Sequence, residues 1–157
     1  MQLARIAKGK EVRMAIKEVK IVKAWMERSE ADLKTADGAL EKKVYADVVY
    51  HCEQAVQKAI RAVLVLFEIR EIAEHRVASL FDDRVVSQYP ELEKLAKIAY
   101  EIERHWLKSR YPLLTKRGIF NPLKFYKRKF AKKCLNNAKF FVKRMKKFLK
   151  ENFNLSV

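Results

Sequence analysis

Apolar residues return along this chain at intervals of three and four, the spacing of helices that each bury one face. From Trp25 to Leu40 the positions Trp25, Met26, Leu33, Ala36, Ala39 and Leu40 keep that spacing, and LEKKV at 40–44 predicts the helix end. The next segment, YADVVYHCEQAVQKAIRAVLVLF, aligns Val48, Cys52, Ala55, Ala59 and Val63 on one stripe, with Val49, Val56, Ile60 and Phe67 beside it. A broad apolar face with small residues at its centre predicts a central helix that its neighbours approach closely. Residues 1–23 alternate charges with Ile6, Met14, Ile16, Ile21 and Val22, a poorer pattern that predicts an N-terminal helical extension. After Phe67, EIREIAEHRVASLF either prolongs the central helix or starts a short one.

Prolines punctuate the second half. Pro90 stands as a first-turn proline, followed by Glu91 and Glu93 where the helix dipole favours negative charge. Leu92, Leu95, Ala99, Ile102 and Trp106 form the predicted buried stripe of that helix, and Pro112 places its end at Arg110 and Tyr111. Asn121 and Pro122 predict the start of the last helix, 122–150. There the apolar residues run in sevens: Ala131, Ala138 and Met145 at one position, Leu135, Val142 and Leu149 at another, flanked by Cys134, Phe141 and Phe148. About three heptads are short for an independent coiled coil, so this seam is expected to dock on the bundle with its lysines in water. The expected architecture is all-α: an antiparallel bundle of about five helices over 24–150, an extra helical segment over 1–23 and a tail over 151–157.

Composition narrows the class. The 157 residues suit one domain, and three Gly and three Pro are too few for a strand-rich fold. No apolar run approaches the roughly 18–20 residues that span a bilayer, and MQLARIAKGKEVR lacks the apolar core of a signal peptide, so a cytoplasmic location is expected. The net charge is +16, and its distribution matters more than its size. From Lys116 to Lys150 there are fourteen Lys or Arg and no Asp or Glu, whereas the other 122 residues hold 21 basic and 19 acidic ones. Such a one-sided field attracts polyanions: nucleic acid, anionic headgroups or an acidic protein.

Several chemistries are excluded by the sequence. There is no glycine-rich phosphate loop, no GxSxG, no HExxH and no paired Cys spacing. Cys52 and Cys134 are expected as buried free thiols. No metal site is expected: His51, His105 and Cys52 could in principle ligate metal, but adjacent His51 and Cys52 point to different sides of one helix; nothing calls for a cofactor. His51, Gln54, Lys58 and Arg61 share a face of the central helix, which spacing alone describes as solvated. The corner HWLKSRYP offers Lys108, Arg110 and Tyr111, a cation for phosphate beside a ring for stacking. Its bland alternative packs Tyr111 on the helix end while Arg110 pairs with an acidic side chain.

Landmarks along the chain resemble the HEPN domain family, an all-helical group named for nucleotide binding in higher eukaryotes and prokaryotes. They are Trp25 with Ala31, Asp32 and Leu33; Tyr45 with Gln54, Ala55, Lys58 and Ala59; His75 with Leu80; and Ser109, Arg110, Tyr111, Pro112. Where the family often has a second Gln this chain has Glu53, and Gln57 stands where it often has Glu. The resemblance implies a helical bundle that binds nucleotide or RNA, works as a homodimer, and acts beside a separate minimal nucleotidyltransferase in systems like toxin–antitoxin pairs. The candidate binding residues are then Gln54, Lys58, Arg61, Lys108, Arg110 and Tyr111, with Lys132, Lys139, Lys143, Arg144 and Lys146 as a basic surface.

Some HEPN proteins are metal-independent ribonucleases that use an Arg, four to six residues, then a His. Arg70-Glu-Ile-Ala-Glu-His75 has that spacing. There an imidazole could move the proton of a ribose 2′-hydroxyl while the guanidinium stabilises the developing phosphorane charge. With so many basic residues the spacing also arises readily by chance. A third expectation is a non-catalytic module whose basic helix docks an acidic partner.

Overall fold

The structure, a computed structural model, describes residues 15–69, 72–73 and 76–157. Helix α1 runs from Ile16 to Glu41 and α2 from Tyr45 to Val65. A short α3, Ala78–Phe81, winds directly into a π-helical turn at Asp82–Val86. A 3-10 turn at Pro90–Leu92 leads into α4, Glu93–Glu103. Then come an antiparallel hairpin of β1, Leu113–Thr115, and β2, Gly118–Phe120, a single-turn α5, Pro122–Phe125, and α6, Arg128–Phe153. The fold is all-α but for this small hairpin. Among the described residues no helix is long and apolar enough to cross a membrane.

Local chemistry sets the helix ends. The N–H of Ala15 donates to the Glu18 carboxylate at 3.2 Å, satisfying one of the donors left open at the start of α1. At its other end Lys43 takes the left-handed conformation (φ 62°), Val44 N–H reaches Ala39 O and Lys43 N–H reaches Leu40 O. This is a Schellman closure with Lys where Gly is usual, and it falls within the expected LEKKV. The helix that starts at Ile16 passes unbroken through residue 23, with Val22 fully buried, so residues 16–23 form one element with the core helix. The rest of the expected extension, residues 1–14, lies outside the described residues.

Small residues let α1 and α2 approach. Ser29 donates to the Ala55 carbonyl at 2.6 Å inside the core, beside fully buried Val48, Cys52 and Ala59. The heptad seam of α6 packs as expected: Ala131, Ala138, Met145, Leu135, Val142 and Leu149 are all buried. Each large apolar side chain so covered contributes about 1.5–3 kcal/mol. Lys146 meets Glu30 at 2.5 Å and Lys139 meets Asp37 at 2.7 Å, so α6 runs antiparallel to α1.

Several sequence expectations change. Helix α4 stops at Glu103, and 104–110 follow as tight turns, with His105 N–H on Ile102 O and Trp106 N–H on Glu103 O. Pro112 sets only an outer limit, since the helix ends nine residues before it. Trp106 is accordingly half-buried instead of sitting in the core. The last helix begins at Arg128, because Asn121 caps only the single turn of α5, its side chain accepting from Leu123 N–H at 3.0 Å. The hairpin was not expected at all.

Candidate nucleic-acid interface

Two polar clusters lie where α1, α2 and the 104–110 turns meet. In the first, the Asp32 carboxylate on α1 binds two side chains from α2: His51 through Nδ1 at 2.9 Å, and the Lys58 ammonium. His51 and Lys58 stand two helical turns apart, so one carboxylate bridges them across the seam. Only 8% of the Asp32 side chain and 14% of that of Lys58 remain exposed, so both charges depend on each other.

In the second, Glu53 is buried on α2 and accepts from Gln54 Nε2 at 2.8 Å, Gln57 Nε2 at 3.2 Å and Arg110 Nη2 at 3.3 Å. Burial raises the Glu53 carboxyl above its ordinary value of 4.5, and the Gln54 and Arg110 contacts oppose that shift. Arg110 is held on several sides. Its guanidinium lies 4.4 Å from the centroid of the Tyr50 ring and 5.2 Å from that of Trp106, and its Nε donates to the Trp106 carbonyl at 3.1 Å. Arg61 donates to Ile72 O at 2.8 Å and lies 5.8 Å from the Trp25 ring centroid.

The structure therefore gives internal partners to Gln54, Lys58, Arg61 and Arg110. Of the six candidate binding residues, only Lys108 and Tyr111 are exposed. The acidic partner raised as the alternative for Arg110 is present, as Glu53. On α6, Lys139 and Lys146 pair with α1, Lys132 and Lys143 are exposed, and Arg144 is half-buried. Arg70 and His75 lie outside the described residues. Cys52 and Cys134 are buried free thiols in contact across α2 and α6, and that contact together with burial holds Cys52 in its neutral form. Among the described residues no group of His, Cys, Asp and Glu could hold a metal ion.

A second polar–aromatic region was not foreseen from the sequence. His105, in the turns that follow α4, contacts the Tyr126 hydroxyl at 2.9 Å through Nδ1, and both rings touch Phe130. Burial, then Lys108 and Arg104, lower the pKa of His105, which favours the neutral ring; burial likewise raises that of the Tyr126 phenol. A protonated phenol can then donate to a neutral imidazole. NPLKFYKRKF interleaves rings and cations at this place, a legible signal that the helix-period pattern obscured.

A model of the HEPN domain matches residues 22–148. Over 149 residues the chain is 32% identical to a Methanocaldococcus jannaschii protein named "Putative toxin MJ1304", a match covering 87% of this chain and 93% of the relative. Two crystal structures share the fold. An archaeal HEPN homologue aligns with TM-score 0.64 and 23% identity over 82% of this chain and 98% of its own. TT1696 from Thermus thermophilus aligns with TM-score 0.65 and 21% identity over 80% and 96%.

Proposed function

This chain belongs to the HEPN family, and from that premise we propose that it is a helical module binding nucleotide or RNA in a toxin–antitoxin-like pair. It acts in the cytoplasm as a homodimer, beside a separate minimal nucleotidyltransferase. One observation carries the polyanion part: between Glu103 and Glu151 there are seventeen Lys or Arg and no acid. Among the described residues, carboxylates partner only Arg110, Lys139, Lys146 and Lys147 of that set. The toxin name of the M. jannaschii relative supports the pairing with an antitoxin. Anisotropy of a labelled RNA should show binding that weakens steeply between about 50 and 200 mM salt, as condensed counterions are released. No binding of RNA or mononucleotide at the low end would sink the proposal.

A second reading is a metal-independent ribonuclease using Arg70 and His75. Arg76 borders an open cleft of about 1090 Å³ along α4, which Lys97, Tyr100 and Arg104 also line. In that case Arg70→Ala with His75→Ala should cut RNA cleavage at least about 100-fold, the usual worth of a general acid or base. Equal cleavage by wild type and the double variant would refute it.

A further inference from the structure

Five rings gather where β2, α5 and the first turn of α6 meet the 104–110 turns. Centroids lie 4.9 Å apart for Phe120 and Phe125, 5.0 Å for Phe125 and Tyr126, 5.7 Å for Tyr126 and Phe130, and 4.9 Å for His105 and Phe130. Tyr126 is buried and anchors the group through its hydroxyl. Phe125 and Phe130, in contrast, remain 51% and 38% exposed. Lys124, Lys127, Arg128 and Lys129 flank them, all exposed, and among the described residues none has a carboxylate partner. Rings that served only packing would be covered, and a merely solvated cationic face would have no need of exposed rings held on a buried anchor.

The hairpin separates this corner from the other exposed apolar surface. Strand pairing sets Leu113 against Phe120 and Leu114 against Ile119, so the two pairs project from opposite faces. Phe120 touches the ring cluster, while Leu114 and Ile119 stand 90% and 78% exposed on the other side. The aliphatic face suits a protein partner. The ring corner, with cations and no acid, suits phosphates and flat bases.

We propose that the corner formed by Phe125, Phe130, Lys124, Lys127 and Arg128 binds single-stranded RNA, the rings stacking on unpaired bases and the cations meeting the flanking phosphates. This rests on the RNA-binding function above and narrows it, because bases inside a duplex offer no free face to an exposed ring. An acidic protein segment would use the cations but not require the rings' flat faces.

The test compares the full-length wild type with Phe125→Leu, Phe130→Leu and Leu114→Ser, using a labelled single-stranded RNA and a duplex of the same length. Leucine keeps the apolar contact and removes the flat face, so folding is preserved and stacking is lost. Each Phe→Leu change is expected to weaken single-strand binding about tenfold, within the range found for one base–ring contact, with the salt slope and duplex binding unchanged. Leu114→Ser should bind both RNAs as wild type does. If wild type binds RNA and both Phe→Leu variants bind single strands equally well, the corner is not the site and the broader function stands. The corner is likewise ruled out if only Leu114→Ser loses binding. If wild type binds neither RNA, the RNA part of the proposed function falls first and this inference with it.

Discussion

The α1–α2 seam and the corner between hairpin and α6 use the same residue types, cations beside rings, and end in opposite electrostatic states. In the seam, Lys58 lies on Asp32, and Arg110 lies on Glu53 with Tyr50 and Trp106 near its faces. At the corner, Lys124, Lys127 and Arg128 flank Phe125 and Phe130, and among the described residues no carboxylate pairs with them. A cation beside a ring is thus open to an outside ligand only when the fold leaves it unpaired. The seam uses its charges to hold helices together, and the corner leaves its charges exposed to solvent.

The strongest way to break this comparison is Asp32→Ala. It leaves Lys58 nearly buried without its counter-charge and removes the partner of His51, so stability should fall by about 3 kcal/mol, the scale of a broken buried pair. Urea unfolding would show a lower midpoint with an unchanged slope. A loss below about 0.5 kcal/mol, the size of an exposed pair, would mean that the seam is as loosely held as the surface.

A smaller effect with an informative sign is expected at Glu53. Its carboxyl pKa is raised in the folded state, so the unfolded chain ionises first as pH rises. This residue's contribution is therefore fully present below the ordinary 4.5 and is lost as pH climbs through the raised value. Glu53→Gln keeps an oxygen for Arg110 and removes the charge, so the variant should gain on wild type as pH rises from the ordinary 4.5 through the raised value. If wild type instead gains with pH, the Arg110 pair outweighs burial.

The smallest effect sharpens the other side. Lys139→Ala removes a half-exposed ion pair with Asp37 and should cost at most about 0.5 kcal/mol. Replacing Lys124, Lys127 and Arg128 together by Ala should also leave stability almost unchanged, yet lower the salt slope of single-strand binding by about 2, at roughly 0.7 per phosphate. An unchanged slope would place the phosphates elsewhere.

Much of the fold was legible because helix periodicity is a local property. The α6 seam from Ala131 to Leu149 could be read from its sevens, and the buried stripe of α2 from its threes and fours. The hairpin was not legible: LLTKRGIF offers one turn glycine, Gly118 at φ 115°, and its strands are only three residues each. The end of α4 was misplaced because Pro112 is visible in the sequence, while the tight turns over 104–110 carry no comparable breaker. Asp32 stood out only as a family landmark; its place as a hub needed α2 beside it.

The sequence alone determined the helices, the family landmarks and the long acid-free stretch, since each depends on residues near one another in the chain. Tertiary structure decided which cations are paired and which are left open. Asp32 and Lys58 are 26 residues apart, and Glu53 and Arg110 are 57. Their pairing follows from helices that pack to exclude water, and only in that excluded space does a missing partner cost enough to matter.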